Sequence, residues 1–135
     1  MLMYSIVLHV YTFMYKFILM FILVGNAAFH SAALYGHLDL CLPALINALL
    51  DKDEKTRANA AGAIGNLVRN SGQLSSRMAS LGIVNKLMNI FISDQDITTQ
   101  RIALFSLGTM AIYADTRSVV LVLLQLLILM SYCCF

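Results

Sequence analysis

The chain has 135 residues, a hydrophobic fraction of 60% and a mean hydropathy of +0.80, so it is more apolar than an ordinary domain of its length. Its formal net charge of +2 is too small, and its basic residues too scattered, for a nucleic-acid interface. Three cysteines without Cys-x-x-Cys spacing and no suitable histidine pair indicate no zinc site, and we predict no metal and no cofactor.

Residues 1–24 form a hydrophobic leader whose single charged side chain is Lys16. A helix of this length is about 36 Å long, more than the hydrocarbon core of about 30 Å, so the leader is a candidate transmembrane helix. Alternatively it is a gene-model artefact. The leader and residues 118–135 contain no glycine, alanine, proline or arginine, as expected of translated AT-rich noncoding sequence.

Residues 25–117 have helical periodicity and repeat themselves with an offset of 43 residues. Ala60 aligns with Ala103, and Ile64 aligns with Leu107. A period in the low forties, built from one short and two longer helices, is typical of armadillo and HEAT repeats. We therefore predict an all-α, armadillo-like superhelical fragment of about two repeats, flanked by hydrophobic helices.

Each predicted repeat has the same three helices in chain order. A short helix ends at a glycine, Gly36 in the first repeat and Gly82 in the second, because glycine adopts the left-handed conformation freely. The second helix is predicted near residues 38–50 and again near residues 83–92. Polar loops, "DKDEK" and "SDQDITT", then lead into the third helix and place acidic residues at its amino end.

The third helix of the first repeat contains two interior glycines, Gly62 and Gly65. Each costs about 1 kcal/mol relative to alanine in a helix, so we predict that a neighbouring segment packs closely against them. Apolar residues at helical spacing form the predicted buried stripe of this helix, which consists of Ala60, Ala61, Ile64, Leu67 and Val68.

Three segments, "GNAAFHSAALY", "EKTRANAAGAIGNLVRNS" and "RIALFSLGTMA", resemble the C-terminal armadillo-like region of the Fused-family serine/threonine kinases. The resemblance covers about residues 25–117. It implies a fragment of a longer kinase that acts in Hedgehog-type signalling, cilium assembly or plant cytokinesis, in the cytoplasm or on the cytoskeleton or cilium. The chain has no glycine-rich phosphate loop, His-Arg-Asp motif or Asp-Phe-Gly motif, so we predict that it is not an enzyme.

A stripe of amides runs along another side of the first third helix, through Asn59, Ala63, Asn66 and Asn70. In armadillo repeats generally, an asparagine of the third helix faces a groove and binds the backbone of an extended peptide, and Asn66 matches that position. Thr109 is its counterpart in the second repeat. These five residues form the candidate peptide groove. The alternative is that Asn66 is an ordinary solvated surface residue.

Residues 118–135 form a hydrophobic C-terminal helix that either spans a membrane or is buried. We predict a non-catalytic protein-interaction scaffold that binds a protein or peptide partner. The alternative is a small integral membrane protein with two hydrophobic spans and a cytosolic repeat region. Arg57, Arg69 and Arg101 are either contacts for acidic partners or ordinary surface charges.

Overall fold

A computed structural model describes residues 22–26, 38–69 and 74–133. These described stretches contain helices and turns but no strand, so the predicted all-α class is confirmed. Residues 22–26 are helical, and the predicted end of a short helix at Gly36 lies outside the described residues. The later elements are a 3₁₀ turn Asp39–Cys41, α1 Leu42–Ala48, α2 Glu54–Arg69, α3 Ser75–Ser80, α4 Ile83–Ser93, α5 Ile97–Met110 and α6 Ala114–Cys133.

The second helix of the first repeat is interrupted by Pro43. We predicted one continuous helix over residues 38–50, but the structure has a 3₁₀ turn followed by α1. Proline has no backbone N–H, so the Asp39 carbonyl cannot accept an α-helical bond from residue 43. It accepts instead from the N–H of Leu42, three residues on. The α-helix therefore starts at Leu42, with the proline in its first turn, where no donor is needed.

The loop before α2 holds the start of that helix through two aspartates. One carboxylate oxygen of Asp53 accepts from the backbone N–H and from the hydroxyl of Thr56, both at 2.8 Å. Asp51 in turn accepts from the N–H of Asp53 at 2.8 Å. These bonds satisfy donors that a helix amino end leaves without intrahelical partners.

The same arrangement recurs 43 residues later, before α5. Asp96 accepts from the N–H and the hydroxyl of Thr99, both at 2.7 Å, and Asp94 accepts from the N–H of Asp96 at 2.9 Å. The shared pattern Asp-x-Asp-x-x-Thr is therefore a structural repeat as well as a sequence repeat. It gives α2 and α5 the same start and confirms the predicted register.

Gly82 lies between α3 and α4 with φ of 67° and ψ of 26°, the left-handed conformation. Within the described residues it is the one glycine with positive φ. The prediction that a glycine ends the short helix is thus confirmed for the second repeat. The sharp change of direction lets α4 pack back against the core through Ile83 and Leu87, which are fully buried.

The predicted buried stripe of α2 is the centre of the core. Ala60, Ala61, Ile64, Leu67 and Val68 are all fully buried, which confirms the prediction. On α5, Ala103 and Leu107 occupy the equivalent positions and are buried to the same extent. The core is therefore formed by matching positions of two successive units, as expected for stacked helical repeats.

α2 and α5 pack directly against each other, and Gly65 marks their closest approach. A Cβ atom on Gly65 would lie 2.6 Å from the Ser106 Oγ and 3.3 Å from the Ser106 Cα. The Ser106 hydroxyl donates to the Ala61 carbonyl at 2.8 Å, so a polar residue is accommodated at this buried contact. The prediction of close packing is confirmed at Gly65. It is wrong at Gly62, where a Cβ would meet Ile102 at an ordinary 3.5 Å.

α6 begins at Ala114, earlier than the predicted start at residue 118, because its first turn is bound to the preceding helices. Thr116 is fully buried, and its hydroxyl donates to the Met110 carbonyl at the end of α5. Asp115 accepts from the Ser75 hydroxyl of α3 at 2.8 Å. α6 thus packs on the second repeat as the first helix of a third unit would.

The third unit differs from the second at the position where its first helix should end. Gln125 lies 43 residues after Gly82, and α6 continues through it as an uninterrupted helix. None of the described helices has the length and apolarity needed to cross a membrane. Residues 1–21 of the leader lie outside the described part of the chain.

Candidate functional site

A pocket of about 350 Å³ lies between α2, α5 and the helical residues 22–26. Three of the five residues predicted for the peptide groove, Asn59, Ala63 and Asn66, line this pocket together. Thr109 does not line it, and Asn70 lies outside the described residues. The structure therefore brings the amino-terminal part of the amide stripe to one cavity.

Three asparagines line the pocket, of which Asn59 and Asn66 are half-buried and Asn26 is exposed. The side-chain nitrogen of Asn59 donates to the Lys55 carbonyl one turn earlier on α2 at 2.8 Å, which fixes the orientation of that amide. The side-chain nitrogen of Asn66 lies 3.5 Å from the place that a Cβ on Gly25 would occupy. An amide carries two donors and an acceptor with two lone pairs, so a half-buried amide can bind a backbone N–H and C=O.

Ala63 is nearly fully buried and is covered by residues 22–26. A Cβ on Gly25 would lie 3.2 Å from the Ala63 Cα, so the backbones of the two segments are in close contact. Ser106, 43 residues after Ala63, packs against α2 in the same manner. Residues 22–26 therefore cover the face of α2 that contains Ala63, and α2 covers the equivalent face of α5, which contains Ser106.

Thr109 is 7% exposed, and its hydroxyl donates to the Phe105 carbonyl in the same helix at 3.1 Å. Sequence reasoning missed Phe105 and Ile102, which supply the apolar wall of the pocket. Phe105 is 55% exposed and lies one turn before Thr109. The sequence did contain a signal for Phe105, because this large aromatic residue lies one helical turn before Thr109, the threonine at the position equivalent to Asn66.

Arg57 binds within the protein and is not a free contact for an acidic partner. Its guanidinium donates to both carboxylate oxygens of Asp94, at 2.6 and 2.8 Å, and to the carbonyls of Asp51 and Lys52 at 2.9 and 3.0 Å. The Asp94 side chain is 4% exposed, so this ion pair is shielded from water. Arg57 thereby joins the loop of its own repeat to the loop of the next repeat.

Gln100 is the counterpart of Arg57 in the second repeat, 43 residues later. Its amide donates to the Asp94 carbonyl at 2.6 Å, just as Arg57 donates to the Asp51 carbonyl. Gln100 has no charge with which to bind the carboxylate of a further loop. The second repeat therefore keeps the contact within the unit and lacks the contact between units.

The hydrogen bond from Arg57 lowers the pKa of the Asp94 carboxyl below its usual value, with backbone N–H groups of Asp96 and Gln95 adding to the effect. The same bond raises the pKa of Arg57, which stays charged in any case. Hydrogen bonds from Thr99 likewise lower the pKa of Asp96. These carboxylates are held ionised as structural acceptors and have no proton to donate near neutral pH.

We predict that the free energy of unfolding falls as the pH drops below about 4, because Asp94 binds a proton more readily in the unfolded chain. Because the pKa of Asp94 is lower in the folded chain than in the unfolded chain, its carboxylate stabilises the fold fully when the pH is above the pKa of the unfolded chain. This stabilisation is lost as the pH falls through the pKa of the folded chain. Urea unfolding measured at a series of acidic pH values checks the prediction. Asp94→Asn should be less stable at neutral pH and show a shallower acid dependence, and equal slopes for the two proteins would contradict it.

The described residues contain no group of three or more side chains placed to hold a metal ion. The pocket presents amides, small residues and an aromatic ring, which is a surface for polar and apolar contact. Among the described residues that line it, none is acidic, basic, a histidine or a cysteine, so this part of the pocket offers no pair of groups for acid–base or nucleophilic chemistry.

Residues 39–69 match the model of the family described as Armadillo/beta-catenin-like repeat. This segment comprises the 3₁₀ turn, α1 and α2, which are the second and third helices of the first repeat. No match is found among curated proteins or among solved structures, and none of the comparisons supports the resemblance to the Fused-family kinases. Armadillo repeats commonly act as protein-interaction scaffolds and are typically non-catalytic. The chain therefore contains an armadillo-like repeat region within an all-α fold.

Proposed function

We propose that this chain is a non-catalytic interaction module that holds an extended segment of a partner protein in the pocket between α2 and α5. The observation that carries the proposal is the meeting of two half-buried amides, Asn59 and Asn66, with the exposed ring of Phe105. The amides bind the partner's backbone without regard to its sequence, and the ring adds apolar contact. A volume of about 350 Å³ accommodates a few residues of such a segment.

Asn66→Ala should weaken partner binding while leaving the helical content unchanged. Removing an amide that pairs with a peptide backbone costs about 1 to 3 kcal/mol, or roughly tenfold to a hundredfold in affinity. Peptides selected from a random display library against the native chain provide the probe, and calorimetric titration gives the dissociation constants. Asn89→Ala is the matched control, because Asn89 is an exposed amide on α4 outside the pocket.

Two results would count against the groove. One is an affinity that is unchanged in Asn66→Ala, and the other is an equal loss in both variants. A benzoylphenylalanine probe in place of Phe105 gives independent information, because it should crosslink the bound peptide, and the peptide should compete with crosslinking in proportion to its affinity.

At a finer level, we propose that the repeat region, residues 25–117, derives from a Fused-type kinase and acts in the cytoplasm or on the cytoskeleton or cilium. The resemblance of "GNAAFHSAALY" and "ANAAGAIGNLVRNS" to that family supports the proposal. Sequencing the full-length transcript tests it, because an upstream kinase domain in the same reading frame is required. A transcript that encodes the hydrophobic leader as its first exon, with no kinase domain, would argue against it.

The alternative is a membrane protein anchored by the hydrophobic leader, residues 1–24, whose apolar composition favours it. The second predicted span is not retained, because α6 lacks the length and apolarity needed to cross a membrane. Extraction of membranes with alkaline carbonate separates the two proposals. The chain should be released if it is an interaction module without an anchor, and it should stay with the lipid if the leader spans the bilayer.

A further inference from the structure

Two basic residues of α2 lie on the same side of the helix as the pocket. Lys55 is seven residues before Gly62, which lines the pocket, and Arg69 is seven residues after it. Seven residues are nearly two helical turns, so Lys55, Gly62 and Arg69 fall along one line of the helix surface. Both basic side chains are exposed, one near each end of α2. A cation therefore flanks the uncharged pocket lining of α2 at either end.

A third exposed cation, Arg101, lies on α5. It directly precedes Ile102 and is one turn before Phe105, the two residues with which α5 lines the pocket. The ion pairs within the described residues involve other arginines, so neither Lys55 nor Arg101 has a carboxylate partner there. We call these three cations the basic rim: Lys55, Arg69 and Arg101.

The carboxylates of the chain do not neutralise the basic rim. All seven acidic residues belong to the described part of the chain. Six of them are ion-pair partners, helix caps or hydrogen-bond acceptors elsewhere in the fold: Asp39, Asp51, Asp53, Asp94, Asp96 and Asp115. The seventh, Glu54, is exposed beside Lys55 at the start of α2. Three cations and this one carboxylate leave an excess of positive charge around an uncharged pocket.

We propose that the partner segment held in this pocket is acidic, with an apolar side chain against Phe105 and aspartate or glutamate close to it in sequence. The inference rests on the proposed function, because it describes the partner of the same pocket. The amides of Asn59 and Asn66 pair with any backbone and do not distinguish one sequence from another. The charges of the basic rim supply the selectivity, because they attract carboxylates and repel cations.

The spacing of the basic rim limits where the acidic residues lie in the partner. Seven residues of helix are about 10 Å long, which about three residues of an extended segment span. An aspartate or glutamate within about three residues of the apolar side chain therefore reaches the rim. A lysine or arginine at the same place meets like charges, which lowers the affinity of a basic segment.

Peptides selected from a random display library against the full chain test the inference, because the library itself favours neither charge. The selected sequences should carry aspartate or glutamate within about three residues of a large apolar residue. Replacing these acidic residues by asparagine and glutamine should raise the dissociation constant of the tightest peptide at least about tenfold at about 50 mM salt. The difference should shrink at about 500 mM salt, because salt screens exposed charges.

Charge substitutions in the chain test the same contact from the other side. Lys55→Gln and Arg101→Gln should each weaken binding of the acidic peptide about threefold, and Glu54→Gln should strengthen it by a similar factor. None of the three should change binding of the amide version of the peptide. Lys86→Gln is the matched control, because Lys86 is on α4 and does not line this pocket, so this variant should bind like the native chain.

The failure of this inference and the failure of the groove give different results. Selected peptides without acidic residues, whose binding still falls in Asn66→Ala, would overturn the inference and leave the groove in place. Acidic peptides that bind equally well to Asn66→Ala would remove the groove as their site, and the inference would fall with it. Equal losses in Lys55→Gln and Lys86→Gln would show a general effect of net charge and would also overturn the inference.

Discussion

Replacing Gly65 with valine should lower the free energy of unfolding by about 3 kcal/mol, the upper range for overpacking a close contact. Any Cβ at this position would lie 2.6 Å from the Ser106 Oγ and 3.3 Å from its Cα, so a shift of that side chain alone does not make room. Valine adds two methyl groups to the conflict and has one strongly preferred rotamer in a helix. Urea unfolding followed by circular dichroism measures the change.

Alanine substitutions at the two glycines of α2 provide the matched comparison. Gly62→Ala should stabilise the protein by up to about 1 kcal/mol, because alanine favours the helix and its Cβ would lie at an ordinary 3.5 Å from Ile102. Gly65→Ala should destabilise it despite the same gain in helix propensity. Ser106→Gly should then recover part of the stability lost in the Gly65→Ala variant. If Gly65→Ala is destabilising but Ser106→Gly recovers none of that loss, the assigned contact between Gly65 and Ser106 is contradicted.

Arg57→Met should cost about 3 kcal/mol, because it leaves the Asp94 carboxylate without its partner in a site that is 4% exposed. The aliphatic part of the arginine is kept, so the loss reports the ion pair and the two carbonyl bonds to Asp51 and Lys52. Thermal and urea unfolding measure the change. Adding Asp94→Asn to this variant should recover part of the stability, because an amide is less costly than an unpaired carboxylate.

A second arginine pair in the chain is the control for this prediction. Arg77 and Asp39 are 3.7 Å apart, with side chains 56% and 39% exposed. Such exposed pairs contribute about 0 to 1 kcal/mol, so Arg77→Met should leave the stability nearly unchanged. Equal losses in Arg57→Met and Arg77→Met would show that the effect does not depend on the shielded contact between the two repeats.

Features that depend on local periodicity could be predicted from the sequence. The burial of Ala60, Ile64 and Leu107 followed from helical spacing, and the left-handed Gly82 followed from the steric freedom of glycine at a helix end. The register of 43 residues followed from comparing the two halves. One local feature was nevertheless missed, the interruption at Pro43, although the missing N–H of proline was visible in the sequence.

Features that depend on distances between helices could not be predicted in the same way. The cost of glycine in a helix is the same at Gly62 and Gly65, so sequence alone did not show which of them α5 approaches. Arg57 and Asp94 are 37 positions apart, and their pairing depends on how two loops stack. The five candidate groove residues were placed on a face by spacing, but the packing of residues 22–26 on Ala63 required three-dimensional information.

The side chain of Asp94 is shared by both repeats, since it accepts from Arg57 in the first unit and from the N–H of Asp96 in the second. Nearest-neighbour coupling of this kind makes two units of a linear array melt in one cooperative step, since the loosening of one unit removes an acceptor from the other. Gln100, the counterpart of Arg57, is uncharged and donates to the Asp94 carbonyl within its own unit, so it does not repeat this ion pair. The first turn of α6 is therefore coupled to the second unit by the bonds of Asp115 and Thr116, without a charged contact between loops.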